Sequence, residues 1–518
     1  MGTSPTASSG DGTDSKPPRR VGVLVIHGVG EQTRFEHLEE IASNLSKAAP
    51  GSFVQINYGN QSERHAKQLS WNETPVIVRW EGKTEPVEAH FREVFWADFG
   101  MGVTVMDWWR MFKWIVSMPG ARVFSAGDGA GQESFPLSDY TLVPPAKPTL
   151  KARLQARLYL YFVCSIATPL VFFAKPIEML IERLIAWKVP LPRVLMHTLG
   201  NVMLYQDATV LADRLESFNE KRRTGIRRRM VQALVAMAKD ADDDKLDAFY
   251  VIGHSLGTVI AFNALMECPA ALPNFLSEAE WKDLPAHFKI NTSTSPANLI
   301  PPCPPWLKPG DAINRRALLA KCRGFLTAGC PLDKFASLWP AVVPISTQQL
   351  NPAIRWVNVA DGLDIVANEL HYFPTAPAAA GGFKLENHGW GGAFWPVNAH
   401  TSYWQEKPGK TRLINWIVGW LEDENCPEPG LPPPHPQHKS ELRLWLILLG
   451  LIVFLLTSAL LSFSVISIRM EIHGHNLLFW WLLIANSTLG LIALTLVVVL
   501  LCSLGRRLYE RHRWGPQK

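Results

Sequence analysis

Ala248-Phe249-Tyr250-Val251-Ile252-Gly253-His254-Ser255-Leu256-Gly257, with the apolar run that continues to Met266, decides how this chain folds. Ala248 to Ile252 are apolar, aromatic or β-branched, which marks a buried strand. Leu256 to Met266 has the length and composition of a helix. Gly253 and Gly257 bracket a tight turn with a serine at its apex. Working outward, Val21 to Ile26 reads as a second buried strand, followed by the turn His27-Gly28-Val29-Gly30 and a helical pattern from Phe35 to Ala48. Val76 to Trp80, Val94 to Trp96, Gly324 to Ala328 and Ile354 to Val359 read as further strands, and Met230 to Lys239 and Arg412 to Leu421 as further helices. Strands alternating with helices predict an α/β class, a mostly parallel sheet flanked by helices.

A chain of 518 residues is longer than one ordinary domain. Its hydrophobic fraction of 47% against a charged fraction of 19% exceeds that of a wholly soluble protein, and the excess gathers near the C-terminus. Leu444 to Ile468 and Leu477 to Leu504 each exceed the roughly 20 residues needed to cross a bilayer, and neither contains a charged residue. The expected organisation is a disordered leader (1–20), an α/β domain (21–421) carrying an insertion (103–200), a Pro-rich linker (422–441), and a two-helix transmembrane hairpin with a basic tail (442–518). Arg506, Arg507, Arg511, Arg513 and Lys518 place that tail on the cytoplasmic side of a plasma or inner membrane, and two spans return the α/β domain to the same side. The first 20 residues hold no apolar core and do not read as a signal peptide. Leu158 to Ala174, apolar and broken by Pro169, reads either as an interfacial or lid-like element or as an ordinary buried helix.

Composition excludes some classes of function. A net charge of only +5 gives no global argument for nucleic acid, so none is expected as a partner. Seven scattered cysteines without CxxC spacing argue against a disulfide framework or a zinc site and fit a reducing compartment. The absence of His-Glu-x-x-His, G-x-G-x-x-G and G-x-x-x-x-G-K-[ST] leaves no metal or cofactor expected. Twenty tryptophans fit a membrane interface, where one part of the ring is wet and the rest apolar. The basic run Lys221 to Arg223 and Arg227 to Arg229 reads as a solvated helix face, or more sharply as a contact for anionic lipid headgroups.

The chemistry rests on Gly253-His254-Ser255-Leu256-Gly257, which fits G-x-S-x-G between a strand and a helix, the arrangement of a nucleophile elbow. The sharp turn puts the serine in a strained conformation, flanking glycines let neighbouring backbone pass closely, and the helix N-terminus favours developing negative charge. A serine hydroxyl is a weak nucleophile and needs an adjacent base, the base needs a carboxylate to fix its tautomer, and the oxyanion needs preorganised N–H donors.

Val23 to Gly30, Gly253 to Gly257, Thr327 to Leu332, Asn358 to Val366 and His400 together resemble the α/β-hydrolase superfamily in its lipase and serine-esterase branch, and follow that superfamily's chain order of oxyanion loop, serine, acid and histidine. The resemblance covers roughly residues 21–421. It implies a catalytic triad with Ser255 as nucleophile. Asp364-Ile365-Val366 resembles the family's Asp-Pro-Val pattern with isoleucine in place of proline, which favours Asp364 as the acid over Asp361, a simpler turn residue. Ala399-His400-Thr401-Ser402-Tyr403-Trp404 resembles the family's His-x-Ser-Tyr-Trp ending, which favours His400 as the base. His371 also follows the acid, and His388, in a Gly-rich stretch that reads as a mobile surface segment, is its rival. The oxyanion hole would use the backbone N–H groups of Leu256 and Val29. The implied function is a membrane-anchored serine esterase or lipase-type hydrolase acting on an ester or acyl substrate, with membrane lipids as partners. The competing expectation is a non-catalytic membrane scaffold that kept the fold.

Overall fold

The computed structural model describes residues 17–30, 32–49, 51–57, 74–99, 109–111, 200–206, 222–292, 303–338, 342–343, 354–364, 366–367, 369–370, 373, 384–390, 399–404, 412–427, 429 and 431. In chain order the main elements are β1 (Arg19–Ile26), α1 (Glu36–Ala48), β2 (Phe53–Ile56), β3 (Val76–Glu81), β4 (Pro86–Val94), α2 (Arg222–Asp242), β5 (Ala248–His254) and α3 (Leu256–Leu265). A small hairpin of β6 (Lys289–Asn291) and β7 (Asp311–Ile313) follows. The chain then runs through β8 (Cys322–Ala328), α4 (Leu332–Leu338), β9 (Arg355–Ala360), β10 (Lys384–Gly389) and α5 (Arg412–Glu422).

Eight strands form one sheet in the order β10-β9-β8-β5-β1-β4-β3-β2. Six of them, β10 to β4 in that order, pair in parallel, and β3 and β2 extend the β4 edge antiparallel. The expected α/β class with a mostly parallel sheet is what the chain forms. Both faces of the sheet are covered, which is why β1 reads as a continuous apolar run. Val21, Val23 and Val25 pack into a core with α1 and α5, while Leu24 and Ile26 pack into a second core with α2 and α3. Complete burial of each such side chain is worth about 1.5–3 kcal/mol. At Gly324 in β8 the Trp420 ring of α5 lies so close that a Cβ would sit 1.9 Å from it, so helix and sheet are in direct contact there.

Several elements depart from the sequence reading. The helix expected over Met230 to Lys239 runs from Arg222 to Asp242, and of the strand expected at Val94 to Trp96 only Val94 lies in a strand, as the last residue of β4, which begins at Pro86. The sequence of β4, Pro-Val-Glu-Ala-His-Phe-Arg-Glu-Val, hides a strand because its charged positions meet partners inside the fold. Glu88 pairs with Arg79 and His90, and Arg92 pairs with Asp240 of α2. β10 was likewise not anticipated. It adds to the sheet beside β9, anchored by a two-pronged pair between Arg355 and Glu386.

The basic run of α2 is bound into the molecule rather than solvated. Arg227 is buried against Glu267, Arg229 forks onto Asp98 at 2.6 Å and lies over the Phe99 ring, and Arg228 donates to the Asn274 carbonyl. Among the described tryptophans, Trp80, Trp96, Trp356, Trp390, Trp404, Trp416 and Trp420 are buried in the core, while Trp109 is exposed. Among the described residues, Cys303, Cys322, Cys330 and Cys426 are free thiols. Residues 423–427, at the start of the expected linker, remain tied to the sheet, with Glu424 paired to Arg323 and the Cys426 carbonyl to Arg355. The leader up to residue 16, the apolar stretch Leu158 to Ala174, His371, the linker beyond 431 and the hairpin 442–518 lie outside the described residues. Among the described residues no helix is long and apolar enough to cross a membrane.

Candidate active site

β1 and β5 are neighbours at the centre of the sheet, with Ile26 level with Gly253, so the turns after them leave the same edge side by side. This is where the strand order changes direction, the usual place for a binding crevice in an open α/β sheet. Ser255 is the single residue between β5 and α3, with φ 53° and ψ −130°, a conformation costly for any residue with a side chain. The flanking glycines make it possible. A Cβ on Gly257 would lie 2.5 Å from the Ile26 and His27 carbonyl oxygens, and one on Gly28 would lie 2.5 Å from the Ser255 Cβ. The serine is therefore wedged against the turn His27-Gly28-Val29.

The three side chains singled out from the sequence meet here. His400 Nε2 lies 2.7 Å from Ser255 Oγ, and His400 Nδ1 lies 2.9 Å from Asp364 Oδ2. Tyr403 Oη donates to the same Oδ2 at 2.7 Å, and the backbone N–H groups of Val366 and Ala367 donate to Oδ1 at 2.8 and 3.2 Å. Burial of Asp364 works against its ionisation. The His400 hydrogen bond and charge, with help from Tyr403 and the Val366 N–H, outweigh it and lower the pKa to about 2. An ionised carboxylate can only accept, so His400 carries its proton on Nδ1 and presents Nε2 as the acceptor for the Ser255 hydroxyl.

The rivals are elsewhere in the architecture. Asp361 accepts the Leu363 N–H at 2.9 Å in a local turn, and its own N–H donates to Tyr403 Oη at 3.0 Å. His388 is not in a mobile loop: it is buried in β10, 3.7 Å from Glu386. Its burial follows from the strand pairing with β9.

The proposed oxyanion donors flank the serine. Leu256 is the first residue of α3, where an N–H has no intrahelical acceptor. Val29 is half-buried and follows the glycine pressed against Ser255. Its turn is held by His27, a role the sequence did not reveal. The Trp96 N–H donates to His27 Nε2 at 3.1 Å, the Trp96 indole donates to the His27 carbonyl at 2.9 Å, and the two rings stack. With Nε2 accepting, Nδ1 donates to the Gly28 carbonyl at 2.8 Å. Burial drives the His27 pKa down to about 3, so the ring is a neutral strut.

His254 was equally silent in the sequence. Its Nε2 donates to the His400 backbone carbonyl at 2.7 Å, tying the turn that bears the serine to the segment that bears the histidine. Burial, and next the nearby His400, keep its pKa well below the ordinary value. Tyr403 was part of the quoted ending, and its spacing three residues after His400 was the available signal for a second carboxylate ligand. Among the described residues no group of three His, Cys, Asp or Glu side chains could hold a metal ion. The arrangement can deprotonate a serine hydroxyl as it attacks an electrophilic carbon and can stabilise the imidazolium that results. Compared with known protein families, with curated proteins and with solved structures, the chain matches none of them.

Proposed function

We propose that this protein is a serine hydrolase of the α/β-hydrolase type that cleaves carboxylic esters, with lipid or other acyl esters as the substrate class, and that its two C-terminal apolar runs hold it in a membrane. The observation that carries the reading is the unbroken contact from Ser255 Oγ to His400 Nε2 at 2.7 Å and from His400 Nδ1 to Asp364 at 2.9 Å.

In this reading Ser255 Oγ attacks the ester carbonyl while His400 Nε2 takes its proton. The oxyanion is stabilised by the N–H groups of Leu256 and Val29. The imidazolium gives its proton to the departing alkoxide, leaving an acyl-serine. Water then attacks the acyl carbon, passing a proton through His400 to Ser255 Oγ as the carboxylic acid leaves. Asp364 stays ionised throughout, which its low pKa supports.

The test is labelling of the detergent-solubilised protein by a fluorophosphonate probe, beside Ser255→Ala, Asp364→Asn and His400→Ala. Labelling is expected to vanish in Ser255→Ala and to slow by about 10³-fold or more in the other two. Folded wild-type protein that resists the probe would overturn the hydrolase reading in favour of a non-catalytic scaffold.

A further inference from the structure

Asp364 is reached from a second side as well. Lys334, on α4, donates from Nζ to the Val366 carbonyl at 3.0 Å and to the Ala367 carbonyl at 3.4 Å. The Val366 carbonyl and the Ala367 N–H belong to one peptide group, and that N–H donates to Asp364 Oδ1 at 3.2 Å. A single peptide plane thus links an ammonium at its oxygen end to a carboxylate at its nitrogen end. A cation on the oxygen polarises the amide and strengthens the N–H as a donor, so the two hydrogen bonds reinforce one another in series. The Oδ1 atom is held from this side, which leaves Oδ2 for His400 and Tyr403.

We propose that Lys334 is a positioning residue: acting through the 366–367 peptide, its charge fixes Asp364 in the orientation that aligns His400 on Ser255. The inference rests on the hydrolase reading and deepens it. The series runs from Lys334 through the peptide to Asp364, His400 and Ser255.

Among the described residues, the titratable groups that act on the ammonium include Asp364 from the turn after β9, Asp333 on its own helix, and the Cys330 thiol just after β8. Burial lowers the Lys334 pKa, and the three groups oppose it incompletely, leaving it at about 8. Below that pH the lysine is charged and holds the peptide as an ammonium. Above it the charge is lost and the series weakens.

The measurement is the rate of fluorophosphonate labelling of the full-length, detergent-solubilised protein from about pH 6 to pH 10, for wild type, Lys334→Arg and Lys334→Met, with Ser255→Ala as the blank and a thermal melt for each. Wild type is expected to slow above about pH 8. Lys334→Arg, whose guanidinium keeps its charge, should lack that decline. Lys334→Met should label about 10- to 100-fold more slowly at neutral pH, the scale of effect that misplacing a catalytic group produces. A merely structural lysine would lower the melting temperature and leave the shape of the pH profile unchanged. The proposal is overturned if Lys334→Met labels at the wild-type rate, or if wild type and Lys334→Arg share the same alkaline decline. Should Lys334→Met fail to fold, the wild-type and arginine profiles still decide. Absence of labelling in folded wild type would overturn both the hydrolase reading and this inference, whereas normal labelling with an indifferent Lys334 overturns the inference alone.

Discussion

Glu93, near the end of β4, accepts the Phe35 N–H at 2.6 Å, while its Oε1 is buried and meets no partner among the described residues. Burial raises its pKa from 4.5 to about 8, with the Phe35 hydrogen bond opposing. Between those two values the unfolded chain loses a proton that the folded chain keeps, so stability falls as pH rises across that window and is greatest below it. Asp364 has the opposite sign: its lowered pKa stabilises the fold above 3.8, and that support disappears as pH falls toward about 2. Glu93→Gln keeps an acceptor for Phe35 and has no proton to lose. Its melting temperature should therefore fall less between pH 5 and pH 8 than that of wild type. Identical pH dependence in the two proteins would remove Glu93 from the account. At this scale the sequence was readable where geometry allows few alternatives. Gly253, Ser255 and Gly257 were legible because close backbone approach excludes other residues. Lys334, His254 and His27 were not, because each works through a backbone group contributed by a distant or unremarkable segment.

Among the elements, α5 shows how one helix can brace the middle of a sheet. Trp420 covers Gly324 of β8, meets the Tyr250 ring of β5 edge-on, accepts the Tyr250 hydroxyl at its carbonyl, and stacks on Trp416. Replacing it with alanine empties a space that neighbouring backbone cannot fill. Trp420→Ala is expected to cost about 3–5 kcal/mol, read as a lower midpoint in chemical denaturation. A change under about 1 kcal/mol would mean that the site collapses around the loss. The helices of this layer were legible from their periodicity, as were the apolar strands β1, β5, β8 and β9. The polar strands β4 and β10 escaped because period-based reading assumes that charge faces water, whereas here Arg92, Glu88 and Glu386 find partners within the fold. The arginines of α2 were misread for the same reason: Asp98 and Glu267 lie far from them in sequence.

For the whole molecule, the α/β class followed from the alternation of strands and helices, but the strand order could not, because residues 95 to 221 separate β4 from α2 without a sequence pattern that dictates where the chain re-enters the sheet. The membrane assignment stands on hydropathy alone. If residues 442–518 are the anchor, a chain ending at 441 should move from the membrane pellet to the soluble fraction. Retention in the pellet would shift the anchor to the stretch from Leu158 to Ala174.

The contact between Ser255 and His400 spans 145 positions of sequence. At a synthesis rate of about 5–20 residues per second, that separation corresponds to roughly 7–30 s. During this interval the emerging chain holds the serine without its base, and Trp404, whose carbonyl accepts from Asn44 at 2.5 Å, has yet to arrive to fasten the histidine segment to α1. On the proposed hydrolase reading, the nascent chain is born inert, and becomes reactive only when the segment bearing His400 has left the ribosome and docked.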